Sequence, residues 1–567
     1  MKKNVQNNTN IVFDKLRGGY YTPSLIAEFI CSWAIQSDNH FVLEPSCGNG
    51  NFIEAAIQRF NELGISGKDL DGKIKGIELI PEEATKAANR AAHYGLTSDT
   101  IINSDFFSFI SNQDDTTYNT IIGNPPFIRY QNFPPKHRDI AIKMMEDLGF
   151  KPNKLTNIWV PFLVICSSLL TENGRLGMVI PAELFQVKYA EQTRVFLSNF
   201  FERITIVTFK KLVFDGIQQE VVLMLCEKSV QNAQGIRVLQ LDDLDQLSDI
   251  DFNEVAETEV VEIQHDTEKW TKYFLNPREI DFLRAIKDSN RIPLANNILD
   301  ADVGIVTGRN EFFMLKKSQV EEWDLKDLTT KVVSKSNQLS GIIFNDADFD
   351  ANANKNLPNQ LFLPENVEFD QLDEQSQKYI KYGEEKEFHT GYKCRIRKKW
   401  YITPSLWIPQ GFALRQVNRY PKLVLNNVEA SSTDTIHRVR FISKEYSPES
   451  IVICFLNSLT FAFSEVTGRS YGGVMTFEPT EIEELLIPVI ENHGIDVNLI
   501  DELIREDRIE EVLDIVDKAV LIDHYGFSLN ETLELRNIWR KMSNRRINRG
   551  KSAKSKPKKK AEAIDSN

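Results

Sequence analysis

Cysteine is sparse in this sequence: six in 567 residues (Cys31, Cys47, Cys166, Cys226, Cys394 and Cys454), and none stands in a CxxC pair. Disulfide-stapled secreted domains are short and cysteine-dense, so that class is excluded and reduced thiols in a cytoplasmic compartment are expected. Histidine is scarce as well. The eight residues show no HxH or HExxH spacing, and no metal is expected. Two lysines near the N-terminus have no apolar stretch behind them, which is not the pattern of a secretory signal. Long hydrophobic runs are missing too. The greasiest stretch, Ile158 to Leu170, contains Pro161, Ser167 and Ser168, and it falls short of the about twenty apolar residues that a bilayer demands. Positive charge is in deficit, with a net charge of −14, which on totals alone speaks against a polyanionic partner.

What is present is an ordinary globular composition, 42% apolar and 26% charged, in a chain long enough for roughly three or four domain-sized units. Between Leu16 and about Lys228, the runs FVLEPS, KIKGIEL, YNTIIGNPPF, RLGMVIPAEL, RITIVTF and QEVVLMLCE read as buried strands. Segments with helical period, such as residues 51–63 and 81–94, alternate with them. The alternation predicts an α/β domain with a doubly wound, mostly parallel sheet, whose ligands bind at the carboxyl ends of the strands. Eleven acidic residues and no Lys or Arg follow between Asp242 and Glu268, which predicts the solvated edge of the first domain or an irregular connection to the next. From about Thr271 to Pro488 the pattern becomes irregular mixed α+β. Residues 500–520 are helical in period, and the Lys- and Ser-rich end is expected to be disordered. There is no internal repeat.

Chemistry is concentrated after the strands. In Leu43-Glu44-Pro45-Ser46-Cys47-Gly48-Asn49-Gly50-Asn51-Phe52 a strand meets a tight turn and then a helix, and the glycines let backbone approach a ligand closely. The turn lacks the third glycine of a dinucleotide fingerprint. Glu78, thirty residues beyond Gly48, ends the next strand, where a carboxylate can accept both hydroxyls of a ribose. Asp105 offers an acceptor for an adenine amino group, and Phe106 an aromatic face for its ring. In Asn124-Pro125-Pro126-Phe127, two prolines free carbonyls to accept, Asn124 adds a side-chain acceptor, and Phe127 adds a flat apolar plate. These are the parts needed to hold a planar ring bearing an amino group; strand termination is the plainer role for Pro-Pro.

The series LEPSCGNGNF, GIEL, SDFF and NPPF resembles the gamma-class (Taq-type) N6-adenine DNA methyltransferases of restriction–modification systems. The similarity begins at Gly18-Gly19-Tyr20-Tyr21-Thr22-Pro23 and passes through Gly174–Pro181 to Leu212-Val213-Phe214-Asp215. It implies a Rossmann-like methyltransferase fold with S-adenosylmethionine held by Tyr21, Thr22, Glu44, Pro45, Ser46, Gly48, Gly50, Glu78, Asp105, Phe106 and Asn124. It also implies a catalytic set of Asn124, Pro125, Phe127 and Phe214, the last touching an extruded adenine; a core position before the next strand is the other reading of Phe214. Many relatives carry Tyr where this chain has Phe127, a change that keeps the stacking face and loses a hydroxyl. Looser landmarks at Val303–Asn310 and Thr467–Gly473 imply a target-recognition domain. The expected organisation is a catalytic domain at 16–240, an acidic connection at 241–275, a target-recognition domain at 276–490, a helical extension at 491–535 and a basic tail at 536–567.

A base within a duplex is sterically blocked and must be extruded before its amino group can react. A large DNA-gripping domain is therefore expected from the chemistry, and the local charge agrees. Residues 391–440 hold ten Lys or Arg against two acidic residues, and residues 536–560 hold twelve against none. Lys393, Arg395 and Arg397 share one face if extended, with Lys398 and Lys399 adjoining, so a basic stripe along phosphates is expected. Arg415 and Arg419 offer forks for base edges, and Arg309 and Arg469 belong to the recognition landmarks. The expected partner is double-stranded DNA, bound by a monomer and paired in the cell with a separately encoded restriction endonuclease. Methylation of cytosine N4, an RNA base or a protein glutamine, or a silent DNA-binding subunit, are the alternatives; Asn rather than Ser at position 124 favours adenine.

Overall fold

The computed structural model describes residues 21–113, 116–153, 156–210, 220–228, 235–257, 260–262, 269–471 and 473–554. The chain divides into two compact units, the first reaching Ile280 and the second running from Asp281 to Ile547.

Eight strands form one sheet in the first unit: β1 (Val42–Glu44), β2 (Ile74–Glu78), β3 (Ile101–Asn103), β4 (Tyr118–Gly123), β5 (Leu170–Pro181), β6 (Arg203–Phe209), β7 (Val221–Glu227) and β8 (Gly235–Leu241). Their spatial order is β3-β2-β1-β4-β5-β7-β6-β8. β1 to β5 are mutually parallel, and β7 alone is reversed, antiparallel to both β5 and β6. The six apolar runs recognised in the sequence are all strands, and β3 and β8 are added at the two edges. The order turns back between β1 and β4, opening a crevice at their carboxyl ends where ligands of such sheets bind.

Three helices line this end: α1 (Ser24–Ala34), α2 (Asn51–Glu62) and α3 (Pro81–His93). α3 starts with Pro at its first position, has Glu82 and Glu83 in its first turn, and has Arg90 and His93 in its last, so its charges complement the helix dipole. Its small residues Ala84, Ala87 and Ala91 form the buried stripe, joining Phe52, Ile53 and Ile57 of α2 and Ile26 and Ile30 of α1 in the core beneath the crevice. The described part of the acidic stretch after β8 runs along the edge of this first unit, and residues 258–259 and 263–268 lie outside the described residues. Leu247 is buried in this same core, and Phe252 sets its ring 5.1 Å from that of Phe29.

The second unit holds a five-stranded, a four-stranded and a three-stranded sheet. The largest is built around Ile436–Phe441, flanked antiparallel by Gly411–Leu414 and Leu299–Asp302. Helices Val497–Arg505 and Ile509–Val516 supply Ile500, Leu503, Val512 and Leu513 to the same core as Val439, Ile451 and Phe461, so the C-terminal helical extension is integral to this unit.

The expectation of a disordered tail from residue 536 is corrected as far as Lys554 by a helix over Leu529–Lys554, and residues 555–567 lie outside the described residues. Its arginines are structural. Arg536 pairs with Asp517 at 2.8 Å and Asp514 at 2.6 Å, and Arg546 pairs with Glu465 at 2.7 Å with both side chains nearly sealed from solvent. Composition suggested solvation; burial of Trp539 and Met542 between these arginines is what the composition concealed. Among the described residues no single helix is long and apolar enough to cross a membrane, and the run Trp159–Ser168 is an interior helix.

Candidate active site

β1 delivers Glu44 to the crevice, and the chain then turns through Pro45–Gly50 into α2. Gly50 adopts φ +87°, and a Cβ there would sit 3.0 Å from the Cα of Ala87, so a left-handed turn and close packing on α3 both require glycine. Gly48 has φ +53° as well, but its missing Cβ would meet only open space.

Glu78 ends β2 and reaches across to this turn. Its Oε2 accepts the Gly48 amide at 2.8 Å and its Oε1 accepts the Ile80 amide at 2.8 Å. Each carboxylate oxygen retains a further lone pair for a ligand hydroxyl. Asn103, at the end of β3, donates to the Glu78 carbonyl at 2.8 Å and ties the third strand end to the second.

Glu44 is only 2% exposed, and its Oε2 has no hydrogen-bond partner among the described residues. Burial, reinforced by the nearby Glu78 carboxylate, pushes the Glu44 carboxyl well above the usual carboxylate range. A buried, unsatisfied carboxylate is costly unless something cationic or hydrogen-donating completes it. Glu78 is also raised by burial, against the pull of the backbone N–H groups of Ile80, Gly48 and Leu79.

Asn124 follows β4 directly. Its Nδ2 donates to Thr22 Oγ1 at 3.2 Å, and Ser46 Oγ donates to its backbone carbonyl at 3.3 Å. Thr22 also accepts Asn51 Nδ2 on its carbonyl at 2.7 Å, so this one residue links the segment ahead of α1, the turn after β1 and the loop after β4. Pro125 is buried, and Phe127 is half-buried with its ring against the core under the crevice.

Other expected residues fall differently. Tyr21 is exposed, its hydroxyl 3.1 Å from both oxygens of Glu83 on α3. Asp105 caps the short helix Phe106–Ile110 by accepting the Ser108 amide at 2.9 Å, and it lies 3.2 Å from His137. Phe106 is 2% exposed, stacked on Phe162 with centroids 5.0 Å apart. Phe214 lies outside the described residues. Asn51, Arg90, Asn103 and His137 organise the site and were not anticipated. Asn51 is the one with a signal, being the first residue of α2, where a short polar side chain reaches back to preceding backbone.

In the second unit the expected basic stripe is not extended. Tyr392–Arg395 is a helical turn with Cys394 wholly buried, because the inward positions Cys394 and Arg397 follow helical rather than alternating spacing. Lys399 pairs with Glu368, Arg309 lies 3.9 Å from Glu311, Arg415 pairs with Glu478, Arg419 with Asp507, and Arg469 with Glu478 and Glu481.

Two family models match the chain. One, described as Eco57I restriction-modification methylase, covers residues 48–214, and the other, the C-terminal domain of the Type II methyltransferase M.Eco57I, covers residues 267–521. Together they take in most of both units. The chain belongs to the Eco57I-type restriction–modification methyltransferases. It is similar to the Type II methyltransferase M.AccI of Acinetobacter calcoaceticus, 23% identical over 82% of this chain and 84% of that one. M.HindII of Haemophilus influenzae is 25% identical over 58% of this chain and 60% of its own. The solved Type IIL restriction-modification enzyme MmeI shares the fold, with a TM-score of 0.55 at 11% identity, over 89% of this chain and 73% of that one.

The cofactor of this methyltransferase is S-adenosylmethionine, and the residues present fit it. Among the described residues the buried Oε2 of Glu44 has no hydrogen-bond partner, a position suited to a cationic or hydrogen-donating ligand, and the open side of Gly48 leaves backbone free to approach.

Proposed function

We propose that this DNA methyltransferase transfers a methyl group to the N6 amino group of an adenine extruded from duplex DNA. The observation that carries the reading is Asn124-Pro125-Pro126-Phe127 at the end of β4, joined to the turn after β1 through Thr22 and Ser46. With Nδ2 of Asn124 donating to Thr22, the acceptor turned to a substrate amino group is Oδ1. Together with the Pro125 carbonyl it accepts both amino hydrogens, while Phe127 offers its face to the ring. Holding both hydrogens draws the nitrogen toward tetrahedral geometry and directs its lone pair at the electrophile.

S-adenosylmethionine supplies a sulfonium methyl, an electrophile that needs no further activation. The chain's part is to bring that methyl and the nitrogen into line and to stabilise positive charge appearing on the nitrogen, so positioning and fixed dipoles supply the rate. Glu78 takes the ribose hydroxyls, with Gly48 and Gly50 shaping the turn beside it. Tyr21, Thr22, Glu44, Pro45, Ser46 and Asp105 complete the cofactor set, and Phe214 is assigned to contact with the target base. Extrusion costs a few kcal/mol, offset by stacking and hydrogen bonds in the pocket and by the grip of the second unit on DNA. The chain acts as a monomer beside a separate endonuclease. Incubating it with labelled S-adenosylmethionine and duplex DNA, then digesting to nucleosides, tests the reading: label in N6-methyladenine supports it, and label in cytosine, RNA or protein refutes it.

A further inference from the structure

The cations expected to face DNA divide into two kinds. Arg415, Arg419, Arg469 and Lys399 are already engaged by carboxylates. Lys393, Arg395 and Lys398 are exposed, and no acidic group lies within 4.0 Å of them among the described residues. They surround Tyr392 and Ile396, which are 65% and 59% exposed and stand four positions apart on one helical turn, hence on the same side.

This turn is rigidly held. Cys394 is buried beneath it, and Arg397 donates from Nη2 to the Val306 carbonyl at 2.6 Å while lying over the Phe313 ring at 5.7 Å. Gly308, at φ +81°, lets the 306–309 loop press against it, since a Cβ there would come 2.8 Å from the Cβ of Lys393. Val306 thereby stands exposed beside the same patch, while Arg309 is half-buried with its guanidinium over the Phe388 ring. Large apolar side chains fixed in water among unpaired cations match a partner that offers phosphates around flat apolar faces.

We propose that residues 392–398 form a wedge that enters duplex DNA, with Lys393, Arg395 and Lys398 on phosphates and Tyr392 and Ile396 pressed against the bases of a distorted step. The proposal rests on the reading of this chain as a DNA methyltransferase and names the surface that engages the duplex.

The test uses the full chain and a duplex oligonucleotide carrying the methylation site mapped in DNA from cells that express it. Binding is followed by fluorescence anisotropy across a salt series. Tyr392→Ala/Ile396→Ala should weaken binding about tenfold or more through lost base contact, with the slope of log affinity against log salt unchanged. Lys393→Ala/Arg395→Ala/Lys398→Ala should flatten that slope by roughly three, because fewer counterions are released. All five side chains are exposed, so the melting temperature and calorimetric affinity for S-adenosylmethionine should match wild type, which separates lost contact from lost fold. An apolar double variant that binds like wild type, or a cation variant with the wild-type slope, overturns the wedge while leaving the methyltransferase reading intact. A wild-type chain that methylates no DNA overturns both.

Discussion

The carboxylate of Glu78 accepts the backbone N–H of Gly48 at 2.8 Å, closing the end of β2 onto the turn after β1 across thirty residues of sequence. One side chain thus shapes the turn and, in the proposed role, meets the ribose. Replacing it removes both functions. Glu78→Ala should lower affinity for S-adenosylmethionine by about ten- to a hundredfold, the usual worth of hydrogen bonds to a charged group. Isothermal titration calorimetry checks this, and an unchanged dissociation constant would remove Glu78 from the cofactor set.

Glu44 gives a pH signature. Burial and the neighbouring Glu78 raise its folded-state pKa above the unfolded value, so the native chain binds more protons than the unfolded one. Stability from this source is complete below the ordinary carboxylate range and is lost as pH rises through the folded pKa. Without cofactor, Glu44→Gln should therefore be more stable than wild type near neutrality, and the gap should close as pH falls into the ordinary carboxylate range. Thermal unfolding over that range is the measurement, and two parallel curves would contradict it.

Phe127 separates stacking from hydrogen bonding. Phe127→Tyr keeps the aromatic face and should retain near wild-type turnover, whereas Phe127→Ala should lose about tenfold or more in kcat/KM for DNA, the cost of one base–aromatic contact. Equal activity in all three proteins would take the ring out of the mechanism.

The Arg546–Glu465 pair carries the C-terminal helix. Arg546→Met strands a buried carboxylate and should destabilise the protein by about 3–5 kcal/mol, whereas Arg546→Met/Glu465→Leu should recover much of the loss. Urea unfolding of both variants checks this. A fully mild single variant would restore the reading of this segment as a dispensable basic tail.

These residues also show what a sequence discloses. The placement of Glu44 and Glu78 at strand ends, and of Gly48, Gly50 and Asn124 just beyond strands, is legible because the change from a short apolar run to helical period marks the place. The ring of Phe106 was not legible, since a phenylalanine after Asp105 can pack toward the ligand or toward Phe162, and only the assembled core decides. Charge was misleading for the same reason. Arg536 and Asp517, or Arg419 and Asp507, neutralise each other across stretches of chain that composition cannot connect. The extended reading of residues 393–397 failed because Cys394 and Arg397 turn inward together, which strict alternation does not permit.

The most direct test of the central claim is methyl transfer by Asn124→Ala. Duplex DNA, labelled S-adenosylmethionine and nucleoside analysis of the product measure both the base and the rate. The wild-type chain should place label in N6-methyladenine, and Asn124→Ala should lose about a hundred- to a thousandfold in kcat, the scale for removing an aligned transition-state acceptor or donor. Full activity in Asn124→Ala, or label on a base other than adenine, would contradict the account.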